Sequence, residues 1–328
     1  MSSIAIAPAV NEAVATEARR GLTSTRKTLA PWLFYDEAGS RLFEQITTLP
    51  EYYLTRTERD LFTTHANEIF LDLIANLTIA ELGAGTATKT GILLRALTHS
   101  QPTVLYQPID ISPTALDEAR ELERTIPGVT VRPQIANYIT ESVRIERPLH
   151  SKILALYIGS SIGNFSPTEA RAILTRLRAE LEPGDALLLG ADLAPSPTKS
   201  IQTLLAAYND AAGVTAAFNR NILHRLNREL DADFQLDRFT HQARWNPTES
   251  RIEMHLASTC AQTIRIPENF TSPALTLHFA PGETIHTENS YKFTPAAIAA
   301  LLANCNFSPT RTFLDPQNLF AVTLATAI

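Results

Sequence analysis

Residues 77–97 read LTIAELGAGTATKTGILLRAL. The apolar run from Thr78 to Leu82 has the length of a buried strand. Gly83-Ala84-Gly85 follows as a tight turn, and Thr86 to Lys89 open a helix. Three of the twelve glycines, Gly83, Gly85 and Gly91, fall in this stretch. Glycine supplies positive φ and lets backbone approach a ligand closely, so glycines clustered after an apolar strand suggest a cradle. The following helix N-terminus offers free N–H groups and partial positive charge to an anionic group. The spacing is G-x-G, with Gly91 too far on for a G-x-x-G finish. Glu81, two residues before the first glycine, is a second departure from a hydride-transfer fingerprint. Taken alone, the stretch also fits an ordinary strand–turn–helix.

Outward from this turn, strands alternate with helices. Val104–Ile109 is a second strand ending in Asp110, and Ser112-Pro113 reads as N-cap and first helical residue of a helix to about Arg124. A short strand near Val129–Ile135 ends in Ala136-Asn137-Tyr138. Lys152–Ile158 is a buried strand, followed by a second glycine-bearing turn, Gly159 to Asn164. Ser166-Pro-Thr-Glu169 is a capping box with proline at its first helical position. Pro183-Gly184 turns into a strand over Asp185–Gly190, with Asp192 beyond it. Such alternation predicts a parallel, doubly wound sheet.

The flanks differ. Residues 1–20 are alanine-rich and read as a poorly fixed arm or short helix. Residues 31–60 concentrate aromatics: Trp32, Phe34, Tyr35, Phe43, Tyr52 and Tyr53. Pro50 separates helical patterns over Gly39–Ile46 and Arg56–Phe70. Composition breaks again at Pro195–Pro197. Helices are expected over Ile201–Ala211 and Val214–Leu230, then alternating strands at Phe239–Trp245, Arg251–Ser258 and Thr263–Ile266. A helix over Phe293–Leu302 and strands Thr310–Leu314 and Leu319–Ala325 complete the chain.

With 328 residues, 45% of them hydrophobic and 19% charged, the chain can build a large core and exceeds the usual single domain. A net charge of −6 offers no electrostatic footprint for nucleic acid or an anionic membrane. No apolar run reaches the length of a membrane span, and the first twenty residues lack a signal-peptide pattern. Cys260 and Cys305, without a C-x-x-C, read as reduced thiols of a cytoplasmic protein. The eight histidines are scattered and show no metal-ligand spacing, so no metal is expected.

Ligands of open α/β sheets bind beyond the carboxyl ends of the strands. Asp110 is placed there to accept from both ribose hydroxyls of a nucleoside, or else to form an Asx turn into Ser112. Asn137-Tyr138 could bracket an adenine, or form a simple turn. Lys89 is a cation where the helix dipole disfavours one, which suggests a ligand carboxylate; a solvated helix face is the alternative. E/D-x-G-x-G after a first strand resembles motif I of the S-adenosylmethionine-dependent methyltransferases.

Longer strings make the resemblance specific. From about Gly21 onward the chain carries WLFYDEAGSRLF (32–43), LPEYYLTRTE (49–58), ELGAGTATKT (81–90), GSSIGN (159–164), AYNDAAGVTAAFNRN (207–221) and TENSYKF (287–293). In this order they closely resemble the L-histidine Nα-methyltransferase family of ergothioneine biosynthesis, which converts histidine to its trimethylated betaine, hercynine. The resemblance implies an α/β fold: a Rossmann-like class I methyltransferase sheet with an inserted α+β substrate-binding lobe. Residues 1–60 and 196–285 would build the lobe, 61–195 the cofactor domain, and 286–328 the completion of the sheet. It implies S-adenosyl-L-methionine as methyl donor and L-histidine as substrate, with no metal, nucleic acid or membrane partner, in a monomer.

By the same resemblance Gly83, Lys89, Asp110, Asn137 and Tyr138 match cofactor-binding positions, although the family more usually has Asp-Phe at 137–138. Tyr52, Asn164 and Tyr208 match positions holding the substrate's amino-acid group, with Gly159 and Tyr35 nearby. Tyr35, Tyr52 and Asn164 would then serve at the reacting nitrogen. Glu288 and Ser290 match positions that read the imidazole, and Met254 lines that side. Asn289 stands where a small apolar residue is expected. No general base stands out; the amine loses its proton on the way in, or through tyrosine and water. Other readings are an Nα-methyltransferase for another aromatic amino acid, or a non-catalytic nucleoside-binding protein of the same fold.

Overall fold

The computed structural model describes residues 8–71, 73, 76–268 and 273–328. Of the N-terminal arm, residues 1–7 lie outside the described residues. The chain then runs α1 (Pro8–Leu22), a 3-10 turn (Pro31–Phe34), α2 (Glu37–Thr48), α3 (Tyr53–Leu71), β1 (Asn76–Leu82), α4 (Thr90–Thr98), β2 (Val104–Asp110) and α5 (Pro113–Thr125). It continues through β3 (Val129–Val131), β4 (Gln134–Ile135), β5 (Ser151–Tyr157), a 3-10 turn (Ser161–Asn164), α6 (Pro167–Ala179) and β6 (Ala186–Asp192). After these come α7 (Ile201–Ala207), α8 (Val214–Leu230), β7 (Phe239–Asn246), β8 (Arg251–Ser258), β9 (Gln262–Ile266), β10 (Leu275–Phe279) and β11 (Thr284–Tyr291). The last elements are α9 (Pro295–Ala303), β12 (Phe307–Leu314) and β13 (Phe320–Ala327). No helix among the described residues is long and apolar enough to cross a membrane.

The chain divides into two compact units, one of residues 54–200 and 291–328, the other of residues 1–53 and 201–290. The first holds a sheet of order β12-β13-β6-β5-β1-β2-β3, with β4 also on β2. β1, β2, β3, β5 and β6 pair in parallel, while β13 runs antiparallel to β6 and β12. β6 is buried along its whole length, and β1 in all but its first residue, as in a sheet covered on both faces. One side packs Ile173, Leu174 and Leu177 of α6 and Ile298 and Leu302 of α9 onto Ala155, Leu187 and Leu189. From β1 the order runs outward to β2 and β3 on one side and to β5 and β6 on the other. The carboxyl ends of β1 and β5 therefore form the switch point where such sheets bind ligands.

Local chemistry accounts for the boundaries. Ser112 and Ser166 cap α5 and α6, the latter with Glu169 in a reciprocal capping box. The expected strand over Val129–Ile135 breaks into β3 and β4 around Pro133, which has no N–H to donate to the ladder. α4 begins at Thr90, later than expected, because Gly85 and Ala87 both take positive φ and keep Thr86–Lys89 in turns.

In the other unit, β11, β8 and β7 form one sheet and β9 pairs with β10. α8 buries Phe218, Ile222, Leu223 and Leu226, and Phe218 stacks on Phe34 with ring centroids 4.5 Å apart. The helix expected over Ile201–Ala211 stops at Ala207. Beyond it Asp210 turns back to accept from Val214 N (2.9 Å) and Thr215 N (2.7 Å), starting α8. β10 and β11 were not expected, since LTLHF is short and TIHTENSY is largely polar. This unit extends to Ser290, so Glu288 and Ser290 belong to it.

Candidate active site

In the sheet unit, β1 delivers Gly83 (φ +68°) and Gly85 (φ +52°) to the switch point. A Cβ on Gly85 would meet no heavy atom within 4 Å, so the turn opens onto space. A Cβ on Gly83 would lie 3.2 Å from the Tyr138 hydroxyl, which stands over the turn. Tyr138 packs edge-on to Tyr157 at 5.8 Å, and burial of its hydroxyl pushes its pKa up to about 12. Asp110 closes β2, with Oδ2 accepting from Gly85 N (3.0 Å) and Oδ1 from Ser112 N (2.9 Å). The Asx turn and the tie to the glycine turn therefore coexist. Each carboxylate oxygen retains acceptor capacity for a hydroxyl. Asn137 Oδ1 accepts from Ile139 N (3.1 Å), which makes it a turn residue.

Lys89 pairs with Glu58, a fully buried carboxylate on α3. The same carboxylate accepts from Gly159 N at 2.8 and 3.0 Å, tying the ends of β1 and β5. Gly159 has φ +77°, and a Cβ there would sit 3.3 Å from Lys89 Nζ. Asn164 ends the next 3-10 turn, whose Gly163 lies against the Tyr291 backbone so closely that a Cβ would approach Tyr291 O to 2.8 Å. Below the glycine turn, Glu81 is buried and accepts from Thr90 Oγ1 (2.7 and 2.9 Å) and Tyr106 OH (2.5 Å). Burial is the largest influence and raises its pKa to about 7 against those bonds.

In the lobe unit an aromatic chain runs Tyr35–Phe43–Tyr52–Tyr208, with successive ring centroids 5.8, 6.3 and 6.3 Å apart. Tyr52 and Tyr208 are buried, and Tyr35 is exposed. The Tyr208 hydroxyl lies 2.7 Å from Ser290 Oγ. Met254 is buried on β8; its carbonyl accepts from Thr287 Oγ1 (3.0 Å). Glu288 is half-buried on β11. Behind these residues, Asn219 Nδ2 lies 2.8 Å from His241 Nδ1 and its Oδ1 accepts from Thr287 Oγ1 at 2.8 Å. His241 Nε2 then donates to Tyr208 O (2.8 Å). With Nδ1 accepting and Nε2 donating, the ring is the neutral tautomer, and burial lowers its pKa further.

The structure thus gathers Gly83, Asp110 and Tyr138, with Lys89 and Gly159 joined through Glu58, in one unit. It gathers Tyr35, Tyr52, Tyr208 and Ser290 in the other. Glu58, Asn219 and His241 did not figure among the sequence candidates, and Glu81 figured only as the acid of E-x-G-x-G. Glu58, Glu81 and Asn219 do lie inside the strings 49–58, 81–90 and 207–221, which was the available signal. One expectation is corrected: the histidines do not stay scattered, because β8 and β11 bring Glu253, His255 and His286 together.

A parallel sheet wound both ways from β1, with an open glycine turn and an acidic β2 terminus at the switch point, defines a Rossmann-like class I methyltransferase fold. The profile of the family described as "Histidine-specific methyltransferase, SAM-dependent" matches residues 14–327. The chain is 41% identical over 315 residues to the histidine N-alpha-methyltransferase of Mycolicibacterium smegmatis, covering 96% of this chain and 95% of that one. It is 40% identical over 306 residues to the histidine N-alpha-methyltransferase of Mycobacterium tuberculosis, covering 93% and 92%. It is 34% identical over 203 residues to ergothioneine biosynthesis protein 1 of Neurospora crassa, covering 60% and 22%. The chain belongs to the S-adenosylmethionine-dependent, histidine-specific methyltransferase family.

Proposed function

We propose that this chain methylates the α-amino nitrogen of L-histidine three times in succession, giving hercynine, the first step of ergothioneine biosynthesis. The observation that carries the reading is local to β11. Glu288 and Ser290 project from consecutive alternate positions, and the Tyr208 hydroxyl meets Ser290 Oγ at 2.7 Å. A carboxylate and a hydroxyl suit the two nitrogens of an imidazole, which can each bond a polar partner at neutral pH. An indole or phenol offers only one such polar atom on its ring and matches the carboxylate and hydroxyl less well.

S-adenosylmethionine supplies the methyl group on a sulfonium that is its own leaving group. The open Gly83/Gly85 turn and Asp110 fit its nucleoside, with Lys89 toward its carboxylate and Asn137-Tyr138 beside its base. For the chain's own residues the work is alignment and exclusion of water. Tyr52, Tyr208 and Asn164, with Gly159 nearby, hold the amino-acid group; Tyr35, Tyr52 and Asn164 serve at the reacting nitrogen; Met254 lines the imidazole side. Aromatic faces accept a growing quaternary ammonium through cation–π contact, worth about 0.5–2 kcal/mol. A sulfonium needs no Lewis acid to leave, so the reading includes no metal in the chemistry. It also includes a cytoplasmic monomer without nucleic-acid or membrane partners.

The test is mass spectrometry after supplying the twenty amino acids together with S-adenosylmethionine. A gain of three methyl groups on histidine alone is expected. Methylation of tryptophan or tyrosine instead, or no transfer at all, would overturn the assignment.

A further inference from the structure

β8 presents Glu253 and His255 on one sheet face, two residues apart, because strand side chains alternate. β11, hydrogen-bonded to β8, brings His286 alongside. The His255 and His286 rings stack with centroids 4.7 Å apart and planes 22° apart. One ligand atom from each of Glu253, His255 and His286 lies within 4.8 Å of the others. Tetrahedral ligands about 2.0–2.2 Å from a metal stand roughly 3.3 Å apart, so small side-chain rotations would close the set.

The hydrogen bonds around the three groups are arranged as a metal site's are. Glu253 Oε1 accepts from Asn246 Nδ2 (2.9 Å) and Arg251 (2.7 and 2.9 Å), which orients the carboxylate. Glu253 Oε2 faces His255 Nε2 at 3.2 Å. His286 Nε2 lies 3.0 Å from the Glu288 carbonyl and donates to it, leaving the Nδ1 lone pair as donor to an ion. A ligating histidine commonly bonds a backbone carbonyl in this way. Among the described residues, His255 Nδ1 is buried and finds no hydrogen-bond partner. His255 is 7% exposed, and Asn289 adjoins the His286 ring. An unsatisfied buried polar atom costs about 1–3 kcal/mol, so one beside a carboxylate and a second imidazole points to a missing partner.

We propose that Glu253, His255 and His286, with Asn289 Oδ1 beside them, bind one borderline divalent transition-metal ion such as zinc, cobalt or nickel. Two imidazoles and a carboxylate suit these ions and not calcium or magnesium, which take oxygen ligands. Burial foremost lowers the pKa of both histidines, His255 to about 4. Arg251 and Arg244 are the nearby cations, and Arg244 stands opposite Glu253 on β7. The ion would share Glu253 with Arg251 and tie β8 to β11, the strands that carry Met254 and Glu288.

The full chain, stripped with chelator and dialysed, is titrated with zinc chloride by calorimetry. Histidine is left out because it binds zinc itself. One equivalent should bind with micromolar or tighter Kd, and cobalt chloride should give a visible ligand-field band. His286→Ala and Glu253→Gln, chosen because both side chains are only partly buried, should each weaken zinc binding by roughly 10–100-fold. Their zinc-free melting curves verify the fold. Zinc affinity unchanged in both variants, or only weak binding of several ions to the wild type, would overturn the site.

Discussion

Glu58→Gln separates the two possible duties of Lys89. Glu58 is wholly buried, while the Lys89 side chain keeps 20% of its surface in water. Glutamine retains an oxygen for Gly159 N, so that bond survives the substitution. What is lost is the countercharge. Breaking a buried ion pair from one side costs about 3–5 kcal/mol. Partial hydration of the remaining ammonium brings the expectation to roughly 2–3 kcal/mol. At about 2–4 °C per kcal/mol for a domain of this size, melting of the cofactor-free protein should fall by roughly 4–12 °C. Binding of S-adenosylhomocysteine, measured by calorimetry, should hold or tighten, because the freed ammonium then answers only to a ligand carboxylate. Glu58 also helps hold up the Glu81 pKa, so Glu81 should ionise at lower pH in the variant. A melting temperature within about 1 °C of wild type would refute the argument that this pair ties the ends of β1 and β5. Loss of cofactor affinity with stability intact would refute the assignment of Lys89 to the cofactor carboxylate.

Asp110→Ala should weaken S-adenosylmethionine binding by about 10–150-fold, from roughly 1.5–3 kcal/mol of charged hydrogen bonding; unchanged affinity in calorimetry would reduce Asp110 to its Asx turn. Glu288→Ala should lower kcat/KM for histidine by about 10–150-fold and relax rejection of apolar aromatic amino acids, with cofactor affinity held. The reverse pattern in steady-state kinetics and cofactor titration would remove Glu288 as imidazole reader. Glu81 has a folded pKa of about 7, above its unfolded value, so the protonated acid is the form the fold favours. Its contribution is present below about pH 4.5 and fades as pH rises through 7, by on the order of 3 kcal/mol. Denaturant melts of the cofactor-free protein should therefore show Glu81→Gln gaining on wild type across that interval, and parallel pH curves would refute the shift.

Whatever depended on neighbours a few residues apart could be read directly from the chain. The strand–turn of residues 78–85, the Ser112-Pro113 and Ser166–Glu169 helix starts and the full extent of α8 and β8 all follow from local pattern and capping chemistry. Strand ends pointed to Gly83, Lys89, Asp110, Asn137 and Tyr138, whereas the substrate-side candidates came only with the family resemblance, since no periodicity would have singled them out. Tyr208 and Met254 illustrate this, since on pattern alone both are apolar core. Tertiary structure decided which distant residues share a hydrogen bond. Glu58 reaches Lys89 across 31 positions and Gly159 across 101, and Tyr208 meets Ser290 across 82. His286 joins Glu253 and His255 only because β11 lies beside β8 in the sheet. Local sequence sets backbone dihedrals and which face a side chain takes, but the order of strands in a sheet is set by how whole elements bury their apolar faces. That order alone places a carboxylate beside an ammonium or one imidazole on another.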